Sequence, residues 1–437
     1  MKKNKASVNH LANIKGRKIE FNFQGGNVTS DAGSLLLRQA DLKIGLTKRL
    51  VEVMDDTRVQ GQVEHTQHQM LMQRVYAIAL GHEDVNDQDS LRKDIGFQTI
   101  VGKDSLLASN STVCRFENRA TPEWAWEGHK VLVETFISSF KTPPEELILD
   151  FDATNDSVHG KQIGGYYNGY YKEHCFLPLY VFCGSQLLVA YLSGSNTDGA
   201  KNSRVILSLL VKRFREVWPD VKIIFRGDGG FCRHRFLRWC EKSNIQYIVG
   251  LAKNSVLKNK TRILTALVEA RFEYLEEKQK IFETLKYGAK KWEKERKVVA
   301  KAEHNSKGPN LRFIVTNLAG SGKELYENIY CARGDMENRI KEQQLHLFAD
   351  RTSCTDWYAN QFRLLLSSYA YVLLETIRRL GLRGTELEKA QCSTIRLKLL
   401  KIGAVIIKNT RRVRFLMTTG YPYKSLFSKV LEALSSA

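Results

Sequence analysis

Proline is scarce in this chain, with 7 in 437 residues, and there is no long glycine- or serine-rich tract. That excludes a protein made largely of disordered linker. No two cysteines stand in a C-x-x-C pair: Cys114, Cys175, Cys183, Cys232, Cys240, Cys331, Cys354 and Cys392 are scattered. Scattered thiols argue against a disulfide frame or a zinc site and predict reduced, mostly buried cysteines in a cytoplasmic protein. Long apolar runs are missing too. The longest, near Leu364 to Leu374, is interrupted by Ser367-Ser368 and is too short to span a bilayer. The polar, basic N-terminus has no apolar stretch of the signal-peptide kind, so no membrane partner is expected.

Acidic residues are outnumbered. Lys and Arg total 67 against 47 Asp and Glu, a formal charge of +20, and the basic residues run the whole length of the chain. An extended polyanion, nucleic acid above all, is the partner such a surface suits. At 43% hydrophobic residues the chain can build two or three domains around a large core.

Basic clusters at Lys2-Lys3-Asn4-Lys5 and Lys15-Gly16-Arg17-Lys18 precede a β-like alternation over Ile19 to Phe23 and a turn at Gly25-Gly26. From Asp31 the apolar residues recur at helical spacing, through Leu35, Leu36, Ala40, Ile44 and Leu50 to Val75, Ile78 and Ala79. The segment Asp104 to Asn118 predicts a short helix, a polar turn and a second helix starting near Ser111. Read as a helix-turn-helix, it presents Thr112 and Arg115 to DNA. His65 and His68 have metal-like spacing without a thiol or carboxylate set to complete it, and read as solvated or DNA-facing.

Pro143-Pro144 marks a boundary. After it, Leu147-Ile-Leu-Asp-Phe-Asp152 predicts a strand with Leu147, Leu149 and Phe151 on one face and Ile148, Asp150 and Asp152 on the other. Two carboxylates on one face of an apolar strand are costly to bury without a cation or donors, so a metal site is the economical reading. A hairpin is predicted from Cys175–Cys183 and Leu187–Leu192. An apolar helical stripe follows from Val205 to Val217, and then the run Val221-Lys-Ile-Ile-Phe-Arg-Gly-Asp-Gly-Gly-Phe231. Its apolar start suits a strand buried on both faces, and Asp228 falls at the carboxyl end, where open α/β sheets place ligands. Asp228 alone could equally cap the helix after it. A further strand is predicted at Ile245–Gly250. The order strand, strand, strand, helix, strand, helix, strand, with an acid on the first strand and another at the end of the fourth, is that of a ribonuclease H-like core.

Residues 255–320 read as a β-rich basic insertion in which Trp292, amid lysines, either stacks on an unpaired base or packs under a sheet edge. Tyr326–Phe348 predicts a helix with Tyr330, Arg333, Glu337, Lys341 and Gln344 on one polar face and Met336, Ile340 and Leu347 toward a core. An apolar helix over 357–380 is expected to pack on the sheet, and the tail from Lys398 reads as a basic strand pair. Carboxylates from three separated segments, Asp152, Asp228 and Glu337, make a set of hard oxygen donors suited to two Mg²⁺ or Mn²⁺ ions.

The motifs LDFDATND, FRGDGGF and YCARGDMENRIKE resemble the three acid-bearing blocks of insertion-sequence DDE transposases, most nearly the thirteen-eighty family of bacterial insertion sequences. The resemblance covers roughly residues 30–420. It implies Asp152, Asp228 and Glu337 as catalytic, metal-binding acids, with Asp150 a further candidate ligand on the face of Asp152. Related enzymes carry a Tyr, Arg, Glu, Lys signature on the last helix. Tyr330, Arg333 and Glu337 match it, Gln344 stands where the lysine is expected, and Lys341 lies one turn earlier. With Arg226, these residues are implied contacts for the scissile and neighbouring phosphates, Arg226 being a partner for either a phosphate or a carboxylate. His159, near Asp152 in sequence, is read as structural.

The expected architecture is therefore a ribonuclease H-like mixed-sheet core, split into 143–254 and 321–385 by the insertion at 255–320. A mainly helical DNA-binding region precedes it at 1–142 and a basic region follows at 386–437. The implied activity is Mg²⁺-dependent cutting of transposon ends and their joining to target DNA. It would act on double-stranded terminal inverted repeats, as a homodimer or larger multimer, in the bacterial cytoplasm beside the nucleoid. A DNA-binding regulator that does not cut, and a stand-alone nuclease of the same fold, are the alternatives.

Overall fold

The computed structural model describes residues 9–158 and 160–436. It divides into two compact units. The first takes residues 1–51, 56–116 and 376–437, and the second takes 52–55 and 117–375. His159 lies outside the described residues.

The larger unit is built on a mixed eight-stranded sheet. Its strands in chain order are β1 (Glu146–Ala153), β2 (Leu179–Cys183), β3 (Gln186–Tyr191), β4 (Lys222–Gly227), β5 (Gln246–Leu251), β6 (Gln279–Tyr287), β7 (Arg296–Asn305) and β8 (Gly308–Thr316). Across the sheet the order is β6-β7-β8-β5-β4-β1-β2-β3. The central three, β1, β4 and β5, are parallel, and every other pairing is antiparallel. Parallel strands are covered on both faces, which is why β4 and β5 are continuous apolar runs rather than alternating ones. The strands at 279–316 are not a separate sheet, since β8 pairs with β5 and extends the central one.

Alternation along β1 sorts its side chains as its sequence predicts. Leu147, Leu149 and Phe151 join the core under α1 (Pro122–Ile137), α2 (Ser203–Val217), α3 (His234–Lys242) and α4 (Arg262–Leu275). Phe136, Phe214 and Trp218 stack and edge-pack in that layer. Ile148 faces the opposite layer with Ile224, Ile248, Leu325 and Tyr326. There a helical run over 322–346 crosses the sheet. It begins at a Ser321 cap, contains α5 (Gly334–Lys341), and has wide π turns at Leu325–Tyr330 and Glu342–His346. The apolar helix α6 (Trp357–Thr376) packs on the same side, with Tyr371 against Phe182 and Gln361 bonded to the backbone of β3.

Between β1 and β2 the chain makes a small three-stranded sheet from Asp156–Ser157, Tyr166–Asn168 and Glu173–Phe176. Pro178 separates it from β2, so the predicted single strand from Cys175 to Cys183 is two.

In the smaller unit, helices at Leu35–Ile44 and Gln67–Leu80 carry the predicted apolar stripe. Strands Ala404–Lys408 and Val413–Met417 form the expected basic pair. The helix expected from Asp104 is displaced upstream to Ile95–Val101. It ends at Gly102, whose φ of +79° suits a residue without Cβ, and 103–109 are irregular. The following helix is Asn110–Glu117. His65 is not solvated as expected. It is buried beside Lys103 Nζ, 2.7 Å from its Nδ1, and the ring of His68 meets Thr47 Oγ1 at 2.9 Å.

Candidate active site

Gly227 of β4 is level with Phe151 of β1 and Val249 of β5. One residue further along, Asp152, Asp228 and Gly250 therefore stand side by side at the carboxyl ends of three parallel strands, roughly 5 Å apart from strand to strand. The absence of a side chain at Gly250 is required there. A Cβ would lie 2.7 Å from the Gly229 nitrogen, 2.8 Å from the Tyr330 hydroxyl and 3.1 Å from the Asp228 carbonyl carbon. Asp228 caps the turn that leaves the strand, its Oδ1 accepting from the Gly230 N–H at 2.9 Å. The cap uses only Oδ1, and Oδ2 makes no hydrogen bond among the described residues.

The 322–346 run brings in the third acid. Arg333 Nη1 donates to Asp152 Oδ2 at 3.0 Å and Arg333 Nη2 donates to Glu337 Oε1 at 2.5 Å, so one guanidinium joins the strand acid to the helix acid. Burial pushes the Asp152 carboxyl up to about 6. Arg333 opposes that rise, and the negative charges of Asp228 and Glu337 add to it. The Tyr330 phenol is raised by its burial, with Arg333 pulling the other way and Asp228 adding. Asp152, Asp228, Glu337, Tyr330 and Arg333 are thus one electrostatic cluster. Among the described residues no three carboxylate, thiol or imidazole groups already converge closely enough to hold a metal ion; Arg333 occupies the space between two of the acids.

Asp150 and Arg226 lie one layer beneath. They are level on β1 and β4, both buried, and form a two-pronged ion pair, with Nη2 donating to Oδ2 at 2.7 Å and Nε to Oδ1. Arg226 Nη1 donates to the Ile329 carbonyl. This pair ties β1, β4 and the helical run into one block directly under the acids. Of the two partners the sequence offered Arg226, the structure supplies a carboxylate.

Gln344 turns away from the acids. Its Nε2 donates to Asp156 Oδ1 at 3.0 Å and to the Asn155 carbonyl at 3.2 Å. Asp156 is fully buried, and its Oδ2 has no hydrogen-bond partner among the described residues. Lys341 is exposed. Trp292 is half-buried, edge-on to Tyr287, with the Arg296 guanidinium 5.1 Å from its ring centre. In the smaller unit, Arg115 is exposed and donates to the half-buried Thr112 Oγ1 at 3.2 Å. Gly250 and Asp156 were missed in the sequence. A glycine closing an apolar strand level with an acid is the signal that could have found the first.

The family described as Transposase DDE domain group 1 matches residues 11–437. The chain belongs to that family. This DDE transposase therefore falls in a class of enzymes that cut and join DNA. No curated protein matches it. Among solved structures it is similar to a piggyBac transposase in a synaptic complex with hairpin DNA, at 10% identity and a TM-score of 0.44, covering 85% of this chain and 80% of that one. No helix described in the transposase is long and apolar enough to cross a membrane.

Proposed function

We propose that the protein is an insertion-sequence transposase that cuts its element's ends and joins them to target DNA, with Asp152, Asp228 and Glu337 as the acids of a ribonuclease H-like core. The observation that carries this reading is the alignment of Asp152 and Asp228 on adjacent parallel strands, with Arg333 linking Asp152 to Glu337. The strand order β3-β2-β1-β4-β5 within the larger sheet and the helical run on one face support the fold reading. The motif blocks support a place near the thirteen-eighty family.

The donor set fits divalent cations of the hard kind, Mg²⁺ or Mn²⁺. Three carboxylates lie near the carboxyl ends of β1 and β4, and the raised Asp152 carboxyl reflects, beside its burial and against the opposing Arg333, the charges of Asp228 and Glu337. Bound there, two such ions would activate a water or sugar hydroxyl and stabilise the leaving oxygen of an in-line displacement. The chain's own residues do the rest. Arg333, released from the acids when DNA enters, holds a phosphate oxygen at the cut. Tyr330, packed on Gly250, fixes the height of the helical run over Asp228. Asp150 is a support rather than a ligand, because Arg226 already takes both of its oxygens. The exposed Lys341 contacts neighbouring phosphates, whereas Gln344 anchors the end of the run. The helical region before residue 143 and the basic tail after 385 bind the terminal repeats.

The test uses purified protein, Mg²⁺ and DNA carrying the element's own ends. Wild type is expected to nick and join; Asp228→Asn is expected to lose several kcal/mol of transition-state stabilisation, a fall of roughly a thousandfold or more. Equal cleavage by the variant refutes the assignment. Cutting without joining to a target plasmid makes the protein a nuclease instead.

A further inference from the structure

The chain from Gly164 to Lys172 reads GGYYNGYYK, four tyrosines in six positions, and no step above uses them. They sit on the arm formed by Tyr166–Asn168 and Glu173–Phe176, which lies in the chain between Asp152 and β2. Tyr167 is 59% exposed and Tyr170 86% exposed. Rings this exposed at the tip of a short hairpin bury little against the fold and leave most of their surface open to an occupant.

The arm is built to hold them still. Ser195 Oγ bonds both the N–H and the carbonyl of Tyr166, and Asn168 Nδ2 donates to the Ser195 carbonyl at 3.1 Å. The Asn168 side-chain oxygen accepts from the Tyr170 and Tyr171 N–H groups at 3.0 and 3.3 Å, closing the tip, and the Lys172 N–H returns to the Asn168 carbonyl at 2.8 Å. At the base, Gly164 lies so close under Trp357 that a Cβ would come within 2.3 Å of its ring. Glu173 accepts from the side chains of Asn155 and Ser157, a few residues past Asp152. Tyr170 and Tyr171 meet edge to face at 4.9 Å, as do Tyr167 and His174 at 5.6 Å. The base of this rigid platform is fixed to the segment that carries the first acid. The half-buried Tyr171 phenol lies within reach of the charges of both Asp152 and Asp228, which add to the upward push of its burial.

We propose that Tyr167 and Tyr170 are a stacking platform for unpaired DNA bases beside the scissile phosphate. The proposal rests on the placing of the active site at Asp152 and Asp228. Aromatic faces on an arm whose base is bonded to the segment that follows Asp152, flanked by Lys161 and Lys172 on a chain of +20, match an unstacked nucleotide in shape and charge. Stacking tolerates any base, so the platform would grip whichever strand is opened at the cut without adding sequence preference.

The experiment measures binding in EDTA, so that cleavage plays no part. The probes are a fluorescein-labelled duplex of the element's end with a short single-stranded thymine tail at the cut position, and the same duplex blunt-ended. Tyr167→Ala and Tyr170→Ala are each expected to weaken tailed-duplex binding by roughly 5- to 100-fold while changing blunt-duplex binding less than about twofold. Tyr167→Phe and Tyr170→Phe keep the ring and should bind like wild type. Unchanged affinity for the tailed probe in both alanine variants overturns the platform, as does a phenylalanine variant as weak as alanine. Unchanged tail affinity with a shift of the protein from dimer to monomer assigns the rings to contact between copies, which also overturns it. If wild type binds neither probe, the transposase reading fails first and the platform with it; if blunt binding is intact and only the tyrosine dependence is missing, the platform alone fails.

Discussion

Asp156→Asn should make the protein more stable, by an amount that grows as pH rises from about 4 to about 8. The carboxyl is fully buried, accepts one hydrogen bond from Gln344, and has one oxygen unpartnered among the described residues. Burial pushes it from 3.8 up to about 8, with the Gln344 bond opposing and Asp350 adding. The folded protein therefore keeps a proton that the unfolded chain gives up, so stability falls as pH rises through the window from about 4 to about 8 and is level beyond it. At about 1.4 kcal/mol per pH unit, the ceiling is about 6 kcal/mol, and relaxation toward water leaves a few kcal/mol. Asparagine keeps the oxygen that Gln344 needs but cannot ionise. Urea unfolding without DNA should show the variant within about 1 kcal/mol of wild type near pH 4 and at least about 2 kcal/mol more stable near pH 8.5. A difference that does not change with pH, or a wild type that is the more stable near pH 8.5, refutes the reasoning.

Gly250→Ala inserts a methyl group against the Gly229 and Asp228 backbone and the Tyr330 hydroxyl. We expect about 1–3 kcal/mol of destabilisation and a single-turnover cleavage rate at least tenfold lower, with end binding retained. Arg226→Met strands the buried Asp150 carboxylate and should cost about 3–5 kcal/mol by urea midpoint. Adding Asp150→Asn should recover part of that loss, and a strictly additive double variant would show that the pair is not coupled.

Much of the core was legible because apolar runs and alternation report directly on burial. The strand at Leu147–Asp152, the run into Asp228 and the two-faced helix of Glu337 could all be read this way. Long-range choices could not. Arg226 and Asp150 are 76 residues apart, and nothing local says that the arginine meets a carboxylate rather than a phosphate. The pairing of β8 with β5 is equally silent in composition, so 255–320 read as an insertion rather than as more sheet. Gln344 shows a different limit. Spacing by threes and fours placed it on the face of Tyr330 and Glu337, but the wide turn at 342–346 takes in an extra residue and swings it toward Asp156. The tyrosine arm escaped notice because very short strands with exposed rings carry no core pattern.

The division into units has a consequence for synthesis. The larger unit is inserted between two halves of the smaller one, whose partners 31–80 and 396–401 bond at Asp31 with Lys401 and at Ala79 with Arg396. On a ribosome the first half must wait while about 260 residues are made, roughly 10–50 seconds at ordinary rates. For that interval the apolar stripe of Gln67–Leu80 has no C-terminal partner, which makes the nascent chain a customer for holding chaperones until residue 401 has emerged.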